Sequence, residues 1–104
     1  MFTKEWAADY QGNRIVVHHS WGPAASLKVF TGEAKLYING AKVDSYGDLV
    51  ALGKSPAMRG SIKLGDGSFK EVEVFIKSGM LSIKAKICID GVSIAGDNFQ
   101  ETKN

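Results

Sequence analysis

Hydrophobic and polar residues alternate with a period of two along most of this chain. Over residues 69–77, Val72, Val74 and Ile76 share one side, and Glu71, Glu73, Phe75 and Lys77 share the other. Further on, Leu81, Ile83, Ala85, Ile87 and Ile89 alternate with Ser82, Lys84, Lys86 and Cys88. Ile62 and Leu64 oppose Ser61 and Lys63, and Leu36 and Ile38 oppose Lys35 and Tyr37. Successive side chains of a strand point to opposite faces, so each of these segments reads as a strand with one apolar and one wet face. That is the pattern of antiparallel sheets. No long segment carries the 3.6-residue period of an amphipathic helix.

Turn signals divide the strands. Twelve glycines punctuate the chain, and regular punctuation of this kind marks a sandwich or a barrel. Strands are expected over residues 4–10, 13–19, 33–38, 41–44, 57–64, 69–77, 80–89 and 92–95. Trp21-Gly22-Pro23-Ala24-Ala25 reads as a loop, because proline donates nothing to a ladder. Residues 27–30 read as a short strand or as part of that loop, and residues 48–52 as a strand or one helical turn. Two segments are alike: Lys35-Leu36-Tyr37-Ile38-Asn39-Gly40 returns half a chain later as Lys86-Ile87-Cys88-Ile89-Asp90-Gly91. Asn-Gly and Asp-Gly supply the two positive φ values of a two-residue type I′ turn, so each copy predicts a hairpin. An apolar face must be covered, and two such sheets cover each other. The expectation is an all-β, hairpin-rich, antiparallel β-sandwich of about seven to eight strands, with a closed barrel as the alternative. It forms a single domain over residues 1–104 with a frayed polar tail at 98–104.

Composition fits this picture. Hydrophobic residues make up 44% and charged residues 23%, the balance of an ordinary folded domain. Thirteen basic against eleven acidic side chains leave +2, too little to imply nucleic acid or an anionic membrane, and the charges interleave along the chain, as at Lys70-Glu71. Neither partner is expected. One cysteine, Cys88, excludes an internal disulfide and a thiolate zinc site, which favours a reducing compartment. The first residues lack the basic-then-apolar order of a signal peptide, and no apolar run reaches membrane-span length. A cytoplasmic location is the default expectation.

Candidate chemistry is sparse. His18 and His19 are neighbours on a strand and face opposite ways, so they do not converge on a metal. No Gly-x-Ser-x-Gly motif is present to set up a serine nucleophile. Gly65-Asp66-Gly67-Ser68 lacks the lysine and the following helix of a phosphate loop, and reads as a hairpin turn. Asp66, Asp90 and Asp97 lack the spacing of a calcium loop. Cys88 reads as a small packing residue, with Lys86 alone nearby to activate it. Phe75, Tyr37 and Cys88 interrupt polar faces, and Val16 can join them in a modest apolar patch if their strands are neighbours. Trp21 and the loops around Pro23 and Gly47 are the candidate for a small ligand.

The order of features resembles the Fas apoptotic inhibitory molecule family. The likeness is carried by Trp6, Gly12, Ile15-Val16-Val17-His18, Lys35-Leu36-Tyr37-Ile38-Asn39-Gly40, Val72-Glu73-Val74 and Ile87-Cys88-Ile89-Asp90-Gly91. It implies a compact antiparallel β-sandwich that works through protein contacts without a cofactor. The chain departs from the family in having one domain rather than two, and in a glycine- and proline-containing stretch around residues 21–32. No functional residue carries over. Two functions are expected in order: a non-catalytic module that binds a protein partner or itself, with Tyr37, Phe75, Cys88 and Val16 as contact candidates, or a carbohydrate- or lipid-binding domain using Trp21. No convergent acid, base and nucleophile supports an enzyme, and no cofactor or metal is expected.

Overall fold

The computed structural model describes residues 2–23, 30–47, 53–78 and 83–97. The chain is all-β: β1 (Phe2–Tyr10), β2 (Asn13–Pro23), β3 (Phe30–Ile38), β4 (Ala41–Tyr46), β5 (Met58–Lys63), β6 (Phe69–Ser78), β7 (Ile83–Ile89) and β8 (Val92–Gly96). They form two antiparallel four-stranded sheets, β1-β2-β3-β4 and β5-β6-β7-β8, and the sheets do not close into a barrel. Edge strand β1 lies against β8 and β7, and edge strand β5 against β4 and β3. The alternating residues meet between the layers. Ile15, Val17, Leu36 and Ala34 of the first sheet and Val72, Val74, Ile87 and Ala85 of the second have no exposed surface at all. Gly60 keeps the layers close, because a β-carbon there would stand 2.8 Å from Ile38 Cδ1.

The two sheets repeat one another in detail. Asn39 and Gly40 turn at φ 52° and 85°, and Asp90 and Gly91 at φ 47° and 82°, as the sequence predicts. The turn residue then extends the ladder with its own side chain. Asn39 Oδ1 accepts the Arg14 N–H at 2.8 Å while the Asn39 N–H donates to the Arg14 carbonyl at 2.8 Å. Asp90 and Glu71 make the same exchange at 3.0 Å each. The register slips once in each closing hairpin, at Leu36/Tyr37 and at Ile87/Cys88, which are equivalent positions. Superposing these features pairs β1 with β5, β2 with β6, β3 with β7 and β4 with β8 about an axis running between the layers along the strands. The four short turns β1–β2, β3–β4, β5–β6 and β7–β8 therefore share one end of the sandwich. There the buried Asn13 ties the layers, donating from Nδ2 to the Lys63 carbonyl at 3.2 Å and accepting the Asn39 side-chain N–H at 2.9 Å.

One boundary differs from the sequence reading. Trp21-Gly22-Pro23, expected as loop, is the end of β2: Trp21 stands between Phe2 and Gly32, and Pro23 opposite Phe30. A proline at the last rung interrupts no interior ladder bond, so the strand tolerates it. Ala24 and Ala25, residues 27–29 and 48–52, the start of the expected 80–89 strand and the 98–104 tail lie outside the described residues. Among the described residues no helix is long and apolar enough to cross a membrane, which says nothing of strands that cross as a barrel.

Candidate functional site

The register distributes the four expected contact residues over both outer faces. Val16 on β2 stands directly opposite Tyr37 on β3, on the outside of the first sheet. Phe75 on β6 and Cys88 on β7 lie diagonally across from each other on the outside of the second, where Phe75 faces Lys86 and Cys88 faces Glu73. The four therefore do not make one patch. Cys88 is only 4% exposed although it points away from the core. Burial pushes its thiol up against the opposing pull of Lys86, and Glu73 adds to the rise, so the group is held protonated and unreactive.

Phe75 is half-buried with the Lys86 ammonium 5.3 Å from its ring centre, a cation–π arrangement. One rung further, Lys77 and Lys84 stand directly opposite on central strands. Like charges at that separation repel. The first sheet offers an internal comparison. Equivalent to Phe75, Lys77, Lys84 and Lys86 are His18, Ser20, Glu33 and Lys35. There Glu33 pairs with Lys35 at 3.5 Å. The scaffold accepts an acid at that place, and the second sheet has Lys84 instead.

A second departure from the repeat lies on the inward side, at the end away from the four short turns. Phe2, His19 and Trp21 cluster there: Phe2 stacks on Trp21 at 5.8 Å, and the His19 ring meets Trp21 edge-on at 5.4 Å. The equivalents of His19 and Trp21 in the second sheet are Ile76 and Ser78, which is ordinary packing. His19 is 5% exposed, and among the described residues its Nδ1 has no hydrogen-bond partner. Burial lowers the His19 pKa, and neighbouring His18 lowers it further, so the ring is held neutral. Beside the cluster, the Trp6 indole N–H donates to Asp97 Oδ2 at 2.8 Å, and Lys4 reaches the same oxygen at 3.6 Å. This latch joins β1 to the end of β8.

Other charged places are structural. In the β5–β6 turn Asp66 accepts the Ser68 N–H at 2.9 Å and its hydroxyl at 2.6 Å, which holds Asp66 below the usual carboxylate range. A shallow depression near that turn is lined by Arg59, Ser61, Phe69, Lys70 and Asp90, but Asp90 already bonds the Glu71 N–H and Lys70. Among the described residues no three His, Cys, Asp or Glu side chains are grouped to hold a metal. No protein-family model, characterised protein or solved structure matches the chain.

The alternation on single strands announces Phe75 and an inward histidine. The lysine cluster and the Phe2–Trp21 stack are not visible in it. Both depend on which residue stands opposite which, and that register is set by turns several residues away.

Proposed function

We propose that this protein is a non-catalytic β-sandwich interaction module that binds a protein partner, or a second copy of itself, through the outer face of its second sheet, with Phe75 at the centre of the contact. The observation that carries the reading is the position of Phe75, an aromatic ring on the wet side of a central strand, where it fills no core. Rings in such places supply large apolar area to an interface, and interface centres are enriched in them. Cys88 serves as small packing beside the ring rather than as a thiol. Val16 and Tyr37 form a smaller apolar pair on the opposite face. The reading needs no cofactor, nucleic acid or membrane and suits a cytoplasmic setting. The resemblance to the Fas apoptotic inhibitory molecule family adds to it, since that likeness also implies work through protein contact. Sedimentation velocity and partner capture on matched variants test the reading. Phe75→Asp loses self-association or the partner, whereas Tyr37→Asp on the other face retains it. Unchanged behaviour of the Phe75→Asp protein, with its unfolding temperature preserved, refutes the assignment.

A second reading, binding of a carbohydrate or lipid at Trp21, is favoured by the stack of Phe2 on Trp21 beside the neutral His19, whose Nδ1 has no partner among the described residues. A sugar ring or an acyl chain gains by lying on such aromatic faces. It predicts a tryptophan fluorescence change on ligand addition that a folded Trp21→Ala variant lacks. A screen of neutral sugars and fatty acids without response counts against it.

A further inference from the structure

At the end of the sandwich that holds the short turns, the second sheet carries a bare ring. Phe69 is 67% exposed on the outer side of the first rung of β6, opposite Lys63. The β5–β6 turn puts it there. That turn is longer than the two-residue turn between β1 and β2. It is held by Ser68 bonded to Asp66, and by the Leu64 N–H donating to the Ser68 carbonyl at 2.8 Å. The ring borders the shallow depression lined also by Arg59, Ser61, Lys70, Glu71 and Asp90.

The repeat shows what is particular about this place. In the first sheet the positions of Ser61 and Glu71 are held by Asp9 and Arg14, which satisfy each other at 2.9 Å. The positions of Arg59 and Phe69 are held there by Ala7 and Gly12. The first sheet thus closes this place with its own groups. In the second sheet Lys70 and Asp90 are spent on each other and on the turn. The Arg59 guanidinium, the Ser61 hydroxyl and the Glu71 carboxylate make no hydrogen bond or ion pair among the described residues. An aromatic ring left bare beside unspent, convergent polar groups has the make-up of a small-molecule site.

The lining selects the ligand. Arg59 and Lys70 stand against Glu71 and Asp90, and the next residues out add one charge of each sign, Lys63 and Glu73. A phosphate or carboxylate on Arg59 would meet Glu73 directly opposite and Glu71 one rung away, and a cation on the ring would meet Lys63. A neutral molecule rich in hydroxyls suits every group at once. Neighbouring hydroxyls donate in pairs to the Glu71 carboxylate and accept from the Arg59 fork, and Ser61 does either. The apolar face of a pyranose ring lies on the phenyl.

We infer that this depression is a shallow site for a neutral carbohydrate, with Phe69 as the platform and Arg59, Ser61 and Glu71 as the groups that fix the hydroxyls. The site is separate from both surfaces described above. Phe75 is six residues further along β6, about 20 Å away, and Trp21 lies at the other end of the sandwich. It stands whether or not the Phe75 face binds a partner.

Amide NMR of the whole isotope-labelled chain, titrated with cellotriose, maltotriose, chitotriose and mannotriose, tests the inference. At least one of them is expected to shift the Ser61, Phe69 and Glu71 amides with a dissociation constant on the order of 1 mM. Phe69→Ala, with its unfolding temperature kept, is expected to weaken that binding at least about tenfold. Arg59→Ala and Glu71→Ala are expected to weaken it as well, and Asp9→Ala at the equivalent place of the first sheet to leave it unchanged. Shifts centred on Trp21 that survive Phe69→Ala place the sugar there and overturn the site. A larger response to adenosine monophosphate than to any saccharide, lost in Arg59→Ala, assigns the depression to an anion and overturns the neutral ligand. No response to any saccharide at roughly 10 mM overturns the inference outright.

Discussion

Removing the carboxylate of Asp97 should open the seam between β1 and β8. Asp97 Oδ2 accepts the Trp6 indole N–H at 2.8 Å and the Ala85 backbone N–H at 3.0 Å, and Lys4 lies at 3.6 Å. Trp6 is 7% exposed and Ala85 fully buried, so neither N–H readily finds water once the acceptor is gone. Each hydrogen bond to a charged acceptor is worth about 1.5–3 kcal/mol. The Lys4 pair is partly exposed and adds a few tenths at most. Asp97 is itself partly exposed, which brings the sum to the lower end: Asp97→Ala should cost about 3 kcal/mol. Against a typical domain stability of about 5–15 kcal/mol, that is a large share. It corresponds to a fall in unfolding temperature of roughly 15 °C. Trp6→Phe removes one partner, and the two changes together should be less than additive by about 1 kcal/mol.

Acid should erase the same contribution. Burial pushes Asp97 up, but the Ala85 and Trp6 N–H groups and Lys4 outweigh it and hold the carboxyl below its ordinary range. The folded chain then binds a proton at this site less readily than the unfolded chain. The stabilisation is complete above about pH 4 and is lost as the pH falls through the lower folded value. Urea unfolding followed by tryptophan fluorescence at pH 7 and below pH 4 reads both effects. The gap between wild type and Asp97→Asn should narrow at the acid end. An Asp97→Ala protein within about 0.5 kcal/mol of wild type, or strict additivity with Trp6→Phe, would refute the latch.

His19 should act in the same direction at higher pH: burial and His18 depress its pKa, so stability holds above about pH 6.5 and declines as the pH falls toward the folded value, with a slope of at most about 1.4 kcal/mol per pH unit. A His19→Phe protein should lose that slope in urea titrations run across the range. Gly96 turns at φ 102°, and a β-carbon there would meet the Ala85 carbonyl and stand 2.7 Å from Lys86 Cα; Gly96→Ala should cost at least about 2 kcal/mol in chemical unfolding. Asn13→Ala should cost about 2 kcal/mol, since it deserts the Lys63 carbonyl and the Asn39 amide at the turn end.

The fold was legible where a rule acts within a few residues. Asn39-Gly40 and Asp90-Gly91 announce their turns because few other pairs adopt two positive φ values. Val72, Val74 and Ile76 announce their face because a strand alternates. Pro23 misled because proline's cost depends on its rung: in mid-ladder it breaks a bond, and at the end of β2 it breaks none. Cys88 was read as a small packing residue on an outward face, and its 4% exposure fits that reading, because an outward residue on a central strand can be covered by its flanking strands. The lysine cluster escaped the sequence reading because spacing along the chain hides what pairing across strands brings together. The internal repeat, visible in the sequence only at its hairpins, proved most informative where it fails, at Lys84 against Glu33 and at His19 against Ile76.

The most direct measurement is sedimentation velocity with partner capture on Phe75→Asp beside wild type and Tyr37→Asp. The expected result is loss of self-association or of the captured partner in Phe75→Asp alone, with its unfolding temperature kept. Equal behaviour of the three proteins would contradict an interface centred on Phe75.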